Sequence, residues 1–326
     1  MVTLTENDKQ KGRTRMDSFQ VNCWSEHEEL KVVMLCAPSI VDVTDSKIAE
    51  QVGWSGPVNH HKAMENFLAL KITLENAGVR VIDYAEELSN DQQLLSEQLI
   101  NRYFVRDLAC VVGQQLLPGN AGSSLRRPEY PHAHAILAKW FPEQFMRKAQ
   151  PSQSLECGDV MLLNKDAVLM NLGMRTSIEA IESLKERFFQ QGFSEIAVID
   201  LPKGNDTLHL DMNCNVVHHN LMIAKIFVRY FPVQVFTPQG NYYDMPEPFI
   251  KRHGFDVYWL ETYKTIPDIN LINLDPETLV ISKQASKQQL LKHPLLHKKK
   301  LLEVDVTELE KGGGGIRCMT LPLVRK

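Results

Sequence analysis

The sequence predicts an α/β fold assembled from about five repeated units, each a helix that leads into a strand beside a β-hairpin. Three stretches show this unit, because an amphipathic helical pattern ends at Gly78, at Gly192 or at Gly254 and a strand-like run follows each glycine. These glycines lie 114 and 62 residues apart, so the longer interval has room for one further unit. A period of about 60 residues is typical of a repeat array or a propeller.

The helix–glycine–strand pattern is clearer in some of these units than in others. In "AMENFLALKITLENAGVRVIDY", Phe67, Leu70 and Leu74 share one helical face, and "IEAIESLKERFFQQGFSEIAVID" repeats the arrangement with Ile181 and Leu184. The third copy, "PEPFIKRHGFDVYWLE", is weaker. The extra unit fits the helical pattern of "EYPHAHAILAKWFPEQFMRKA", and a last unit ends at "KKLLEVDV". We therefore expect residues 21–326 to form a single domain, preceded by a disordered polar extension over residues 1–20.

Composition and charge exclude several classes of function. The chain has 326 residues, of which 44% are hydrophobic and 23% are charged, as in soluble globular proteins. Its formal charge of −4 gives no electrostatic reason to bind nucleic acid or an anionic membrane. No apolar run approaches the roughly 18 residues of a membrane span, and the polar opening lacks a signal-peptide core. We predict a cytoplasmic protein with a small-molecule partner; a homo-oligomer is compatible with this.

Four polar clusters stand beside apolar, strand-like runs. They are "FVRD" ending at Asp107, "ECGD" from Glu156 to Asp159, "LHLD" from Leu208 to Asp211, and the glycine run 312–315 that precedes Cys318. If "LHLD" is a strand, its alternation sends His209 and Asp211 to the same face, which would set an acid/base group beside a carboxylate. Glycines permit a close backbone approach to a ligand, so a cysteine carried by four of them fits covalent catalysis.

Each cluster also has a simpler interpretation. An isolated carboxylate at a strand end is usually a turn or cap residue. A metal site built from His209, Asp211 and His218 lacks the paired spacing of zinc ligands, and no Lys-Ser/Thr follows the glycines as in a phosphate-binding loop. We therefore predict no metal and no cofactor. Cys157, placed between acidic residues, has no assigned role.

Taken together, the four clusters resemble the motifs of the guanidino-group-modifying superfamily, which contains arginine deiminases, dimethylarginine dimethylaminohydrolases and amidinotransferases. They occur in the family's order and span residues 101–323, although "ECGD" departs from the family's E-G-G-D. The resemblance implies a five-fold pseudo-symmetric α/β propeller (pentein) of ββαβ-type modules around a central active site. That architecture agrees with the repeat count.

The resemblance also implies roles for individual residues. Cys318 matches the nucleophile, His209 the general acid/base and Glu156 the carboxylate that orients the histidine. The remaining matches are substrate-binding positions: Asp107 and Asp211 for the guanidinium, Asn101 and Asp159 as further polar contacts, and Arg126 and Arg175 for the substrate carboxylate, with Arg127 as an alternative to Arg126.

The expected activity is hydrolysis of the guanidino group of arginine or of a methylated or related derivative, through an S-alkylthiouronium intermediate, giving citrulline and ammonia or an amine. Three features depart from arginine deiminases, namely the absence of an arginine from the loop before the cysteine, the presence of Arg317 in place of histidine, and a shorter chain without the helical insertion of those enzymes. Two alternatives remain, an amidinotransferase that passes the amidino group to an amine and a non-catalytic binding protein with the same fold.

Overall fold

The computed structural model describes residues 19–146 and 153–326. Residues 1–18 of the expected polar extension lie outside the described residues, so this expectation stays a prediction. The strands are β1 (Leu30–Leu35), β2 (Arg80–Asp83), β3 (Ala109–Val112), β4 (Gln115–Pro118), β5 (Val160–Asn164), β6 (Ala167–Asn171), β7 (Glu195–Ile199), β8 (Cys214–His218), β9 (Leu221–Lys225), β10 (Val233–Thr237), β11 (Gly240–Asp244), β12 (Asp256–Leu260), β13 (Ile272–Asp275), β14 (Thr278–Ser282), β15 (Lys300–Val304) and β16 (Leu321–Arg325).

The α-helices pack between and around these strands. They are α1 (Ser46–Gln51), α2 (His60–Asn76), α3 (Asn90–Ser96), α4 (Glu129–Trp140), α5 (Ile178–Gln191), α6 (Pro246–Arg252), α7 (Thr265–Ile269), α8 (Lys287–Leu290), α9 (Pro294–His297) and α10 (Thr307–Glu310). No helix of the described part of the chain is both long enough and apolar enough to cross a membrane.

The strands form small mixed sheets that repeat one arrangement. In each of three sheets, helix further along the chain leads from a hairpin to a strand parallel to the second hairpin strand: β5–β6 then β7, β8–β9 then β12, and β13–β14 then β15. In the second of these, the hairpin β10–β11 intervenes and joins the sheet of β7. A fourth sheet contains the first and last strands, because β16 pairs antiparallel with β1. Its third strand, β2, follows α2 and is parallel to β1. The α/β class and the repeated unit are confirmed, whereas closure of five units into a ring stays a prediction.

Three glycines mark the change from helix to strand, as the sequence predicts. Gly78, Gly192 and Gly254 have φ of 83°, 104° and 88°, the left-handed conformation that glycine adopts without a steric penalty. The apolar helical faces are also confirmed, because α2 buries Phe67 and Leu70. The face of α2 packs against β2 and β15.

A polar residue precedes the first strand of four hairpins, and Cys318 takes the corresponding place before β16. Tight 3₁₀ turns hold Asp107 (Val105–Asp107), Asp159 (Cys157–Asp159) and Asp211 (Leu210–Met212) just before β3, β5 and β8. Asn270 follows α7 just before β13, and Cys318 lies in a turn before β16. These segments contact one another, so the fold gathers five positions that are distant in sequence.

The expectation that "LHLD" is a strand is wrong. His209 has an extended backbone and begins the 3₁₀ turn Leu210–Met212, and the strand starts only at Cys214. A residue from another unit stabilises this turn, because Asp159 Oδ1 accepts a hydrogen bond from the Leu210 N–H over 2.9 Å. His209 and Asp211 therefore reach the same region through a tight turn and not through strand alternation.

Candidate active site

A cavity of about 540 Å³ opens where these turns meet. Seven of the nine predicted site residues line it: Cys318, His209, Glu156, Asp107, Asn101, Arg126 and Arg175. Asp211 lies behind the wall, fully buried, with Oδ2 3.6 Å from Cys318 Sγ. Asp159 is the ninth, and it does not reach the cavity.

The thiol of Cys318 is buried at the base of this cavity, with 3% of the residue exposed. Its pKa is raised well above the usual range, first by burial and then by the carboxylates of Asp211 and Asp107. Arg317 and a hydrogen bond from Asn270 act in the opposite direction. Before a ligand binds, the sulfur is therefore a neutral thiol at physiological pH.

His209 lies between two carboxylates. Its Nε2 is 2.9 Å from Glu156 Oε2, and its Nδ1 is 3.5 Å from Asp107 Oδ1. Burial on its own would lower the histidine pKa, but the carboxylates of Asp107 and Glu156 outweigh burial and raise it to about 10. In the same way, burial would raise the pKa of Glu156, but His209 lowers it to about 2. The pair is an imidazolium and a carboxylate at neutral pH.

The position of Gly158 within "ECGD" has no room for a side chain. A Cβ at this position would lie 2.6 Å from Asp107 Oδ1 and 2.9 Å from His209 Nδ1, and both distances are too short. The Gly158 N–H also donates to Asp107 Oδ1 over 3.2 Å. The glycine thus makes the contact between the histidine and Asp107 sterically possible.

The glycines before Cys318 serve close packing. A Cβ on Gly314 would lie 2.6 Å from the Phe104 ring, and one on Gly315 would lie 2.8 Å from the Asn270 carbonyl oxygen. Gly313 has φ of 97°, which other residues rarely adopt. The run lets the loop lie against neighbouring turns while it carries Cys318 to the cavity.

Arg126 does not present a free guanidinium to the cavity, contrary to its predicted role in binding a substrate carboxylate. Its Nη1 pairs with Asp107 Oδ2 in a very short contact, its Nε donates to Glu129 Oε2 over 2.9 Å, and its Nη2 donates to the Phe104 carbonyl over 2.8 Å. Buried carboxylates attract the buried cation, so Arg126 fixes Asp107. The alternative, Arg127, is exposed and does not line the cavity.

Arg175 and Asn101 line the cavity wall. Arg175 is half-buried, its Nη1 lies 3.5 Å from Glu156 Oε1, and this nitrogen donates no hydrogen bond within the described residues. Asn101 Oδ1 accepts a hydrogen bond from Trp54 Nε1 over 2.8 Å. Arg175 is therefore the candidate for binding a substrate carboxylate.

Asp159 was predicted to contact substrate, but the structure places it elsewhere. Its Oδ1 accepts from Asn171 Nδ2 and from the Leu210 N–H, each over 2.9 Å, and its Oδ2 accepts from Thr176 Oγ1 over 2.7 Å. Both oxygens are thus used within the protein. Asp159 joins the turn of Glu156 to the turn of His209.

Asn270 is the site residue that the sequence motifs missed. Its side chain accepts a hydrogen bond from the Cys318 N–H and contacts the sulfur. The repeat contains a signal for it, because Asp107, Asp159 and Asp211 are spaced by 52 residues and Asn270 follows 59 residues later. Asparagine before an apolar run is common in turns, so the residue type alone attracts no notice.

Asp107, Glu156 and His209 also form a set that could hold a metal ion, since their ligand atoms lie within 4.8 Å of one another. Metal ligation requires a neutral imidazole. These carboxylates raise the pKa of His209 to about 10, so a metal ion would have to displace the imidazolium proton.

Sequence comparison relates this chain to arginine-processing enzymes. A family model described as arginine deiminase matches residues 48–245. The arginine deiminase of Mycoplasma capricolum subsp. capricolum is 25% identical over 81% of this chain and 71% of its own length, and that of Listeria welshimeri is 26% identical over 74% and 66%. An uncharacterized protein of Bacillus subtilis is 24% identical over 93% of this chain and 95% of its own length.

Solved structures show the same fold at low identity. Dimethylarginine dimethylaminohydrolase from Pseudomonas aeruginosa, a mutant complexed with citrulline, matches 90% of this chain and 99% of its own with a TM-score of 0.67 and 19% identity. The inosamine-phosphate amidinotransferase of Streptomyces griseus matches 94% of this chain and 97% of its own with a TM-score of 0.65 and 14% identity. Hydrolases and a transferase thus share this architecture.

Proposed function

The chain belongs to the arginine deiminase family, within the guanidino-group-modifying superfamily, and on that premise we propose that it hydrolyses the guanidino group of arginine or of a methylated or related arginine derivative. The products are citrulline or a related ureido compound, with ammonia or an amine. One observation carries this proposal: the Cys318 thiol and the His209–Glu156 pair open onto one cavity, with Asp107 and Asp211 beside them.

Asp107 and Asp211 bind the guanidinium in this proposal. Asp211 Oδ1 is buried and has no hydrogen-bond partner among the described residues. An unpaired buried carboxylate oxygen is costly, and a planar guanidinium supplies several N–H donors for it. Arg175 is half-buried, its Nη1 donates no hydrogen bond among the described residues, and in this proposal it takes the carboxylate of an amino-acid substrate.

Substrate binding prepares the nucleophile. The same carboxylates that raise the pKa of Cys318 would be neutralised by the bound cation, so the thiol loses its proton to water more readily once substrate is present. The thiolate then attacks the guanidinium carbon and forms a tetrahedral adduct. The glycine loop carries Cys318 to the face of the clamped group.

His209 supplies the proton for the next step. As an imidazolium it protonates the departing nitrogen, the C–N bond breaks, and an S-alkylthiouronium remains on Cys318. The neutral histidine then takes a proton from water, whose oxygen attacks the same carbon. Collapse of this second adduct breaks the C–S bond, releases the ureido product and regenerates the thiolate. Glu156 stabilises the imidazolium throughout.

Two further features belong to this proposal. The five polar positions, four of them before hairpins and the fifth before β16, support closure of the units into a five-fold propeller around the cavity. All six cysteines are free thiols, which supports a reducing, cytoplasmic location.

An amidinotransferase is the second candidate. The cavity volume of about 540 Å³ falls within the range of small-molecule sites and its wall extends beyond the catalytic group to Thr265 and Pro267. Such a wall offers room for an amine acceptor in place of water.

The decisive experiment measures citrulline and ammonia release from arginine, Nω-methylated arginines and agmatine, with wild type beside Cys318→Ser. Turnover of one compound that disappears in the variant supports the hydrolase. New guanidines that form only when glycine or lysine is added support the transferase. Absence of both reactions would favour a non-catalytic binding protein.

A further inference from the structure

Asn270 contacts Cys318 at two atoms. Its Oδ1 accepts a hydrogen bond from the Cys318 N–H over 2.9 Å, and its Nδ2 lies 3.2 Å from the Cys318 sulfur. The same Nδ2 donates to the Asp211 carbonyl over 3.1 Å. One carboxamide therefore links the backbone of the nucleophile, its sulfur and the turn that carries Asp211.

The hydrogen-bond network fixes which way this carboxamide points. The Cys318 N–H can only donate, so it faces the carbonyl oxygen of the carboxamide, and the Asp211 carbonyl can only accept, so it faces the NH₂ group. The group beside the sulfur is consequently a donor. A donor stabilises a thiolate much more than a neutral thiol, because hydrogen bonds to charged acceptors are the stronger ones.

Asn270 is also held rigidly. It is 2% exposed, its N–H donates to the Ile266 carbonyl over 3.0 Å, and its own carbonyl accepts from the Arg317 N–H over 3.2 Å. Because Gly315 has no side chain, Asn270 has room beside it; a Cβ on Gly315 would lie 2.8–3.0 Å from Asn270 atoms. The donor is thus in place before the thiolate forms and needs no rearrangement.

We propose that Asn270 is a catalytic residue whose carboxamide N–H hydrogen-bonds the Cys318 thiolate, both when this sulfur attacks the guanidinium carbon and when it departs as the leaving group. This inference rests on the proposed function. The N–H proton stays on Asn270 throughout, so the residue stabilises charge and transfers nothing. Its bond to the Cys318 N–H additionally aims the sulfur into the cavity.

The test uses alkylation of Cys318, which needs no knowledge of the substrate. The purified full chain is treated with neutral iodoacetamide and with cationic 2-chloroacetamidine, whose halide the thiolate displaces as the C–S bond forms, and modified Cys318 is quantified by peptide mass spectrometry. The variants are Asn270→Ala and Asn270→Asp. Asn273→Asp and Asn273→Ala are matched controls, because Asn273 is a buried carboxamide bonded to Val216 and Lys299 without contact to Cys318.

The order of rates distinguishes charge stabilisation from mere positioning. Asn270→Asp retains an acceptor for the Cys318 N–H but replaces the donor by an anion, whereas Asn270→Ala removes both. We expect wild type to react fastest, Asn270→Ala about tenfold slower, and Asn270→Asp slower still. If the aspartate variant matches or exceeds the alanine variant, Asn270 only positions the backbone and the proposal is wrong.

A second readout applies if Asn270→Asp does not fold. If Asn270→Ala acts by removing the hydrogen-bond donor to the thiolate, alkylation by both reagents slows by a similar factor. If the substitution instead displaces the sulfur, alkylation by the cationic reagent slows most, because this reagent must bind between the carboxylates. Slowing confined to 2-chloroacetamidine would overturn the proposal, and so would unchanged rates. If wild-type Cys318 reacts with neither reagent, the proposed function itself fails, independently of Asn270.

Discussion

Arg317 binds Asp211 through one carboxylate oxygen and leaves the other without a partner. Arg317 Nη1 lies 2.7 Å from Asp211 Oδ2, while Oδ1 is buried and accepts no hydrogen bond within the described residues. A buried acceptor left unpaired costs about 1–3 kcal/mol, so the arrangement favours a ligand that brings an N–H donor. Arg317 thus positions the carboxylate that binds the guanidinium in the proposed function.

Asp211→Asn is expected to change two rates in opposite directions. Burial and then Asp211 raise the pKa of Cys318, so removal of this charge should lower that pKa and speed alkylation by neutral iodoacetamide at pH 7. Guanidine hydrolysis should fall at least about tenfold, because a charge-assisted hydrogen bond to substrate is lost. Both rates are measured on one preparation, and a parallel fall of the two would contradict the proposed electrostatics.

Arg317→Met is expected to destabilise the fold. Arg317 is 1% exposed and pairs with Asp211 and with Glu26, each over 2.7 Å. Removal of one partner from a buried ion pair costs about 3–5 kcal/mol in free energy of unfolding, which denaturant titration measures. The control is Arg252→Met, since its pairs with Glu195 and Asp244 are partly exposed. Equal effects of the two substitutions would show that the buried network is unimportant.

The stabilising effect of His209 should depend on pH. The folded protein raises its pKa to about 10 from about 6.5 in the unfolded chain. A raised pKa stabilises the folded state fully below about pH 6.5, and this stabilisation is lost as the pH rises towards 10. Urea unfolding of wild type and of His209→Gln across pH 6–10 measures it, with exposed His61→Gln as reference. A pH-independent difference would refute the imidazolium assignment.

Gly158→Ala should impair catalysis more than stability. The added methyl group would lie 2.6 Å from Asp107 Oδ1 and would push it away from His209. A displacement of this kind can cost roughly a hundredfold in rate. Cys157→Ala is the adjacent control, because Cys157 is buried in the apolar core and does not line the cavity. Turnover assays and thermal unfolding are compared, and an active Gly158→Ala protein would disprove the steric argument.

Arg175→Gln should affect only substrates that carry a carboxylate. We expect its KM for an arginine-type substrate to rise at least about tenfold, while agmatine, which lacks the carboxylate, should be unaffected. Arg127→Gln is the control, since Arg127 is exposed and outside the cavity. KM for each substrate is obtained from initial rates. An equal increase in KM for both substrates would indicate that Arg175 positions Glu156 and does not bind the substrate carboxylate.

The sequence by itself determined the local features of this protein. Helical faces such as that of Phe67 and Leu70 and the glycines at helix ends follow from periodicity and backbone preference within short windows. The family motifs marked the positions of Cys318, His209 and Glu156, and these three side chains do line one cavity.

Only the tertiary structure decided what each of these side chains contacts. It paired Arg317 with Asp211, 106 residues away, and Arg126 with Asp107; it kept Asp159 off the cavity wall and brought Asn270 to the sulfur of Cys318. Arg317 and Asp211, like Asn270 and Cys318, come from different repeated units, so no short sequence window contains both members; Arg126 and Asp107 are only 19 residues apart, but no local pattern pairs them. A buried charge or donor is satisfied by whichever group packing brings within about 3 Å, and that proximity exists only once the units are assembled.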